Sequence, residues 1–252
     1  PADMNNWQRH VRFIANRFIG LVTHWEVRNE IDTRFWMSDM DTYAEYLKIA
    51  YQQLKDVYPA NKVLLGSLAS DGWFVSRIQD GFEENVLQRL YDLGIKPYFD
   101  ILNLHPYTGQ WQNGTIESMD KINTAYRIMR RNGDRKPIWL TEIGYSTHGN
   151  DAEALADQAD YLETVYKDLI KHPAVDKIFW YNFRCPEYND QTEDNFGLTG
   201  PDFLVRPAYE RFKSLPKDTT RRINYHMLPF EYVAAYKTFR ARAVFLLLFD
   251  HS

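Results

Sequence analysis

An α/β chain of parallel βα units, of the (β/α)8 TIM-barrel type, is predicted by three observations. Five short apolar stretches, at residues 21–27, 63–68, 99–104, 138–141 and 177–181, lack the polar alternation of a half-exposed strand, as parallel strands covered by helices do. A helical stripe fills each gap between them, so strand and helix alternate. Polar residues gather where the stretches end, at Asn29/Glu30, Ser67/Ser70, His105/Tyr107, Glu142/Tyr145 and Asn182/Arg184, and chemistry collected on one rim is the mark of a barrel. The ends fall near residues 30, 69, 105, 142 and 182, a nearly constant spacing.

The helices follow in order. Trp7, Val11, Ile14 and Phe18 recur at helical spacing before the first strand, and Tyr43, Leu47, Ala50 and Leu54 after it, with Asp39 or Asp41 placed to cap the second helix. Phe82, Val86, Leu90 and Leu93 repeat the stripe and stop at Gly94, a residue suited to the left-handed turn that ends a helix. Met119, Ile122, Tyr126 and Met129 run to Gly133, and Leu155, Ala159, Leu162, Val165 and Leu169 run to Pro173. A short helix over residues 207–215 begins with Pro, which fits a first turn. No Gly-x-Gly-x-x-Gly follows any strand, which weakens the open nucleotide-binding sheet against the barrel.

Five units fall short of eight. Residues 1–215 are expected to form a partial barrel domain, and residues 216–252 a C-terminal segment of unassigned fold. The apolar strands must bury their inner face on something, so the first strand is expected to pair with sequence preceding Pro1, with the tail at residues 225–249, or with a partner chain.

Composition sets outer limits. The 252 residues suffice for one substantial core. A formal charge of −4 argues against nucleic acid as ligand. The single cysteine, Cys185, excludes an intrachain disulfide and reads as a small apolar core residue. The run 243–249 is far below the ~20 residues that span a bilayer, so no membrane partner is expected. The chain opens on Pro1 rather than Met, which leaves localisation open and secretion compatible. Aromatic residues make up 15% of the chain, enough for a bulky core and for rings on which sugars stack. Trp73, Trp111 and Tyr188 fall in loops and are candidates for such stacking.

Two glutamates carry the chemistry. Glu30 ends the first strand beside Asn29, and Glu142 ends the fourth after Ile138-Trp139-Leu140. Glycosidic cleavage needs one carboxyl to protonate the leaving oxygen and one carboxylate to attack or to activate water. A carboxylate at the end of a buried strand is costly unless paired or functional. His105 is either a core residue or part of the cleft, and His24 is read as structural. No HExxH pattern or matching cluster supports a metal, and no cofactor is expected.

In order along the chain, Trp25-Glu26-Val27-Arg28-Asn29-Glu30, then Asn103-Leu104-His105-Pro106-Tyr107, then Thr141-Glu142-Ile143-Gly144, then Ile178-Phe179-Trp180-Tyr181 resemble the clan A glycoside hydrolases, of the family 39-like or cellulase-like kind. The resemblance covers roughly residues 7–215 and implies that these are strands four to eight of the barrel. It implies Glu30 as acid/base and Glu142 as nucleophile of a retaining hydrolase of β-linked glycans, with a carbohydrate substrate. Asn29 would bind the sugar 2-hydroxyl, His105 and Tyr107 would line the cleft, and Trp180 would be the stacking platform. Arg28 departs from the pattern, which often carries Trp there, and strands one to three are missing. A carbohydrate-binding barrel fragment without catalysis is the alternative. An aldolase is a weaker one, because no strand end offers a lysine.

Overall fold

A computed structural model of the chain describes residues 3–33, 35–36, 38–69, 84–108, 114–215 and 245–247. Trp73, Trp111 and all of the 216–252 segment except residues 245–247 lie outside the described residues.

Helix α1 (Met4–Arg17) is capped by the Asp3 carboxylate, which accepts from the Asn5 N–H, and buries Trp7, Val11 and Ala15. Strand β1 (His24–Glu26) follows. Helix α2 (Met40–Val57) starts on Asp39, whose carboxylate accepts from Thr42 N–H at 2.6 Å, and it buries the expected stripe of Tyr43, Leu47, Ala50 and Leu54. Then come β2 (Lys62–Leu64), β3 (Leu68–Ala69), α3 (Glu84–Asp92), β4 (Leu102–His105), α4 (Gly114–Arg131) and β5 (Ile138–Ile143). Gly94 and Gly133, beyond α3 and α4, have φ of 75° and 64°, the left-handed values that favour glycine at a helix end. Helix α5 (Ala152–Leu169), capped by Asp151, β6 (Val175–Trp180), α6 (Pro207–Ser214) and β7 (Phe245–Leu247) complete the order. No helix among the described residues is long and apolar enough to cross a membrane.

All strand pairs among the described residues are parallel. One sheet runs β2-β1-β7 and the other β3-β4-β5-β6. A parallel bridge between Leu64 and Ile101 joins them, so β7, β1, β2/β3, β4, β5 and β6 follow one another as successive barrel strands. The neighbour that covers β1 on its far side is β7, with His24 opposite Phe245 and Glu26 opposite Leu247, within the tail named above. The stretch expected as one strand at 63–68 is two, because the chain breaks step at residues 65–67. Gly66 allows that break: a Cβ there would sit 2.4 Å from the Val27 carbonyl oxygen. The strand expected from residue 99 begins instead at Leu102, after a 3-10 turn at Lys96–Tyr98 that carries Pro97 in its first turn.

The main core lies between strands and helices and holds Trp25, Val27, Val63, Leu102, Leu104, Ile138, Leu140 and Ile143. The opposite face is lined by a second set, Leu64, Ile101 and Trp139 with Phe179 against them, and His24 stacks on Trp139 at 4.8 Å. Alternation along each strand therefore sends His24, Glu26, Asn103, His105, Trp139, Thr141 and Phe179 into the barrel.

Candidate active site

Beyond β1 the chain makes a turn that a non-glycine backbone resists. Arg28 and Glu30 have φ of 75° and 44°, and each such residue costs about 1–3 kcal/mol unless its surroundings enforce it. They do. The Arg28 guanidinium lies over the rings of Trp7, Trp36 and Tyr46 at 5.6, 5.3 and 5.4 Å, a cation held by aromatic faces. Glu30 N–H donates to Ser67 Oγ at 2.8 Å, Ile31 N–H donates to the Ser67 carbonyl at 3.0 Å, and the Asp32 carboxylate accepts from Ala69 N–H at 2.9 Å. Asn29 Oδ1 accepts from the Ser67 hydroxyl at 3.4 Å, so Asn29 and Glu30 are set side by side.

Glu142 reaches the same place through an irregularity. Leu140 pairs with Ile178 and Ile143 with Trp180, so β5 carries one residue more than β6 across that interval. Such a bulge re-aims side chains. With Leu140 and Ile143 both in the helix-side core, Thr141 and Glu142 can both face the cleft.

His105 stands between the two glutamates. Its Nδ1 is 3.0 Å from Glu30 Oε1 and 3.7 Å from Glu142 Oε2, and its Nε2 is 2.9 Å from Thr141 Oγ1. The Thr141 hydroxyl donates in turn to Asn103 Oδ1 at 2.5 Å. The ligand atoms of Glu30, His105 and Glu142 all lie within 4.8 Å of one another. Tyr107 donates its hydroxyl to Glu142 Oε2 at 3.1 Å.

Burial pulls the His105 imidazolium down, but Glu142, Glu30 and Glu26 outweigh it and hold the group at about 9. It is a cation at neutral pH, able to donate from both nitrogens. Burial pushes the Glu142 carboxyl up, opposed by His105 and by the Tyr107 hydroxyl. Burial also raises Tyr107, which stays a donor. Glu30, His105 and Glu142 have the donor types to hold a metal ion, but Glu30 and His105 already bond to each other.

Of the residues expected from sequence, Asn29, Glu30, His105, Tyr107 and Glu142 converge. Trp180 does not, and its assignment as a platform is corrected. It pairs with Ile143, a helix-side residue, and it packs beside Ala159, Leu162, Leu198 and Ala208. Its indole N–H donates to the Phe196 carbonyl at 3.2 Å, and its ring lies 6.2 Å from that of Tyr161. Alternation turns Tyr181 toward the cleft instead. Its ring centroid is 6.4 Å from that of Tyr107, and its hydroxyl donates to Glu193 Oε2 at 3.2 Å.

Sequence reasoning missed Glu26, Tyr181 and Glu193. Glu26 is buried on the inner face of β1 and accepts from Ser67 N–H at 3.3 Å; burial pushes its carboxyl up to about 7. Its two-residue offset from His24 was the available signal. Glu193 is raised by burial, with Asp190 and Glu30 adding to the effect. Nothing in its local sequence marks it.

A family model described as the glycosyl hydrolase catalytic core matches residues 41–201, a range that contains His105, Tyr107 and Glu142 and starts after Glu30. Among solved structures, a family 39 glycoside hydrolase from Bacteroides cellulosilyticus WH2 is 23% identical with a TM-score of 0.64, over 83% of this chain and 44% of that one. A monomeric β-xylosidase from Caulobacter crescentus CB15 is 14% identical with a TM-score of 0.60, over 84% and 46%. Xylanase 10B from Thermotoga maritima is 17% identical with a TM-score of 0.58, over 82% and 64%. At these identities the likeness establishes a shared fold, the (β/α)8 TIM-barrel type. The chain spans less than two thirds of the length of each. No curated protein sequence matches the chain.

Proposed function

The chain belongs to the glycosyl hydrolase catalytic core family, and from that premise we propose that it supplies the catalytic face of a retaining hydrolase of β-linked glycans. The observation that carries this reading is the approach of Glu30 and Glu142, whose nearest ligand oxygens lie within 4.8 Å. Retaining enzymes hold their carboxyl groups about 5–5.5 Å apart, whereas inverting ones need about 6.5–9.5 Å to admit a water.

Glu142 attacks the anomeric carbon from one face as Glu30 protonates the departing glycosidic oxygen. The ester formed on Glu142 is then hydrolysed by a water from which Glu30 removes a proton. Tyr107 donates to Glu142 and favours its anionic, attacking form. The His105 cation lies near Glu142 and bonds to Glu30, so it favours the anion of the attacking Glu142 and that of Glu30 once its proton has passed to the leaving oxygen. Asn29, fixed by Ser67, is placed to bind a sugar hydroxyl beside the reacting carbon. Tyr181, not Trp180, offers the ring on the cleft side of β6. Residues 1–215 form the barrel unit in this reading, and the segment 216–252 contributes β7.

The xylosidase and xylanase among the structural relatives make aryl β-xylosides the first substrates to try, followed by other aryl β-glycosides. The anomeric configuration of the first-formed product, followed by NMR, separates retention from inversion. An α-configured product would refute double displacement. Glycan binding with no hydrolysis, unchanged by Glu142→Ala, would favour a carbohydrate-binding barrel.

A further inference from the structure

Glu26 is a buried carboxyl group within the field of His105 and Glu142 to which the mechanism above gives no task. What it touches is Ser67, itself fully buried. Ser67 works through its whole residue: its N–H donates to Glu26 Oε1 at 3.3 Å, its Oγ accepts from Glu30 N–H at 2.8 Å and donates to Asn29 Oδ1 at 3.4 Å, and its carbonyl accepts from Ile31 N–H at 3.0 Å. The residue that fixes the Glu30 turn is thus itself fixed by a carboxylate two positions inward along the same face as His24.

We propose that Glu26 is a positioning residue for the acid/base: it holds Ser67, and Ser67 holds Asn29 and the strained backbone of Glu30. This rests on the reading of Glu30 as the acid/base. A second path leads to the same place. The charged groups facing Glu26 are His105 from β4 and Glu142 from β5, with Tyr43 of α2 also within its field. Burial holds the Glu26 carboxyl at about 7, so as pH rises through that value its anion favours the imidazolium of His105, and that imidazolium donates to Glu30 at 3.0 Å. A charged acceptor also holds an N–H more firmly than a neutral one. A carboxylate therefore serves here where an apolar residue of equal size would leave Ser67 N–H without its partner.

The test uses Glu26→Leu, which removes the acceptor of Ser67 N–H, Glu26→Gln, which removes only the charge, and Ser67→Ala in the full chain, assayed on a phenyl β-glycoside and on its 2,4-dinitrophenyl counterpart. The first step needs the proton from Glu30 on the phenyl substrate and not on the activated one, so misplacement of Glu30 lowers kcat/KM, which reports that step, about tenfold or more on the first and under about threefold on the second. A loss of folded protein lowers both alike. The acid and base limbs of kcat/KM against pH also shift in Glu26→Gln if its charge acts through His105. Should Glu26→Leu fail to fold, Glu26→Gln decides through the pH limbs and the Glu30 titration. Carboxyl-carbon NMR titrations of Glu30 and Glu142 read the idea without turnover: the Glu30 signal moves in Glu26→Leu and in Ser67→Ala if the proposal holds. Equal losses on the two substrates, or a Glu30 titration identical to that of the unaltered chain, overturn it. If the unaltered chain hydrolyses neither glycoside, the glycosidase reading falls, and the Glu30 titration still decides the role of Glu26.

Discussion

The Tyr107 hydroxyl donates to Glu142 Oε2 across 3.1 Å from a side chain anchored just past the end of β4. That places a neutral donor of high pKa against a carboxylate that burial pushes upward. The bond favours the ionised form of Glu142, the form that can attack.

Tyr107→Phe keeps the ring, and with it the packing on Phe196 and Tyr181 at 6.0 and 6.4 Å. It removes only the donor. A hydrogen bond to a charged acceptor contributes about 1.5–3 kcal/mol, so kcat is expected to fall about 10- to 150-fold. Burial then acts on Glu142 with less opposition, and the acid limb of kcat/KM moves to higher pH. Steady-state kinetics across pH measure both, and an unmoved limb would contradict this role for Tyr107.

The two glutamates are expected to fail differently. Glu142→Gln removes the nucleophile, so no glycosyl-enzyme forms on any substrate. Glu30→Gln removes the proton donor, which an activated aryl leaving group does not need. Turnover of a dinitrophenyl glycoside by Glu30→Gln, with azide accelerating breakdown of the intermediate, is the expected outcome. Equal inactivity of both variants on every aglycone, with no azide rescue, would show the roles to be misassigned.

Much of this site is legible in the sequence because strand ends are. Apolar runs close on Glu30, His105 and Glu142, and a barrel collects strand ends on one rim. The strand parity of Trp180 was also legible in principle. Lys177, Phe179 and Tyr181 share one face, and Trp180 takes the other, but the tryptophan outweighed the alternation. The bulge that turns Glu142 inward has no sequence mark, since its two residues read as a regular strand. Ser67 and Glu26 act through a break in step between β2 and β3, and that break is set by tertiary contact with Val27 and Glu30 rather than by local propensity. Glu193 is brought near by a long loop whose path no periodicity encodes.

Trp180 and Tyr181 can be told apart by which quantity they change. Trp180→Phe loses the bond to the Phe196 carbonyl and part of the contact with α5 and α6. It should lower the unfolding free energy by about 1–2 kcal/mol while KM stays unchanged. Tyr181→Ala empties the cleft side of β6 and frees Glu193 from its 3.2 Å bond. It should raise KM severalfold with a smaller effect on stability. Chemical denaturation and kinetics on one aryl glycoside settle the pair, and a raised KM in Trp180→Phe would restore that residue to the cleft.

Stability should fall as pH rises through the neutral range, because the folded chain holds protons that the unfolded chain releases. His105 titrates at about 9 when folded against an ordinary 6.5, Glu26 at about 7 against 4.5, and Asp32 at about 7 against 3.8. For His105 the burial effect is adverse and its carboxylate neighbours reverse it, so its contribution is complete below 6.5 and lost as pH rises through 9. For Glu26 and Asp32 burial disfavours the anion, so folding is least opposed while they remain protonated and loses ground as pH climbs from the ordinary carboxylate range to 7. Exposed Asp39 and Asp190 act in the opposite sense, their carboxyls held below the ordinary value by backbone N–H bonds, but their effect lies in the acid range. Partly buried His24, pushed down by burial to about 4 against an ordinary 6.5, also acts in the opposite sense and offsets part of the loss below pH 6.5. Urea midpoints are therefore expected to decline shallowly from about pH 5 and more steeply between about pH 6.5 and pH 9. Glu26→Gln and Asp32→Asn should flatten the lower half of that decline, and His105→Asn the upper half. A midpoint that rose between those pH values in the unaltered chain would mean that these three groups do not hold their protons as the buried geometry requires.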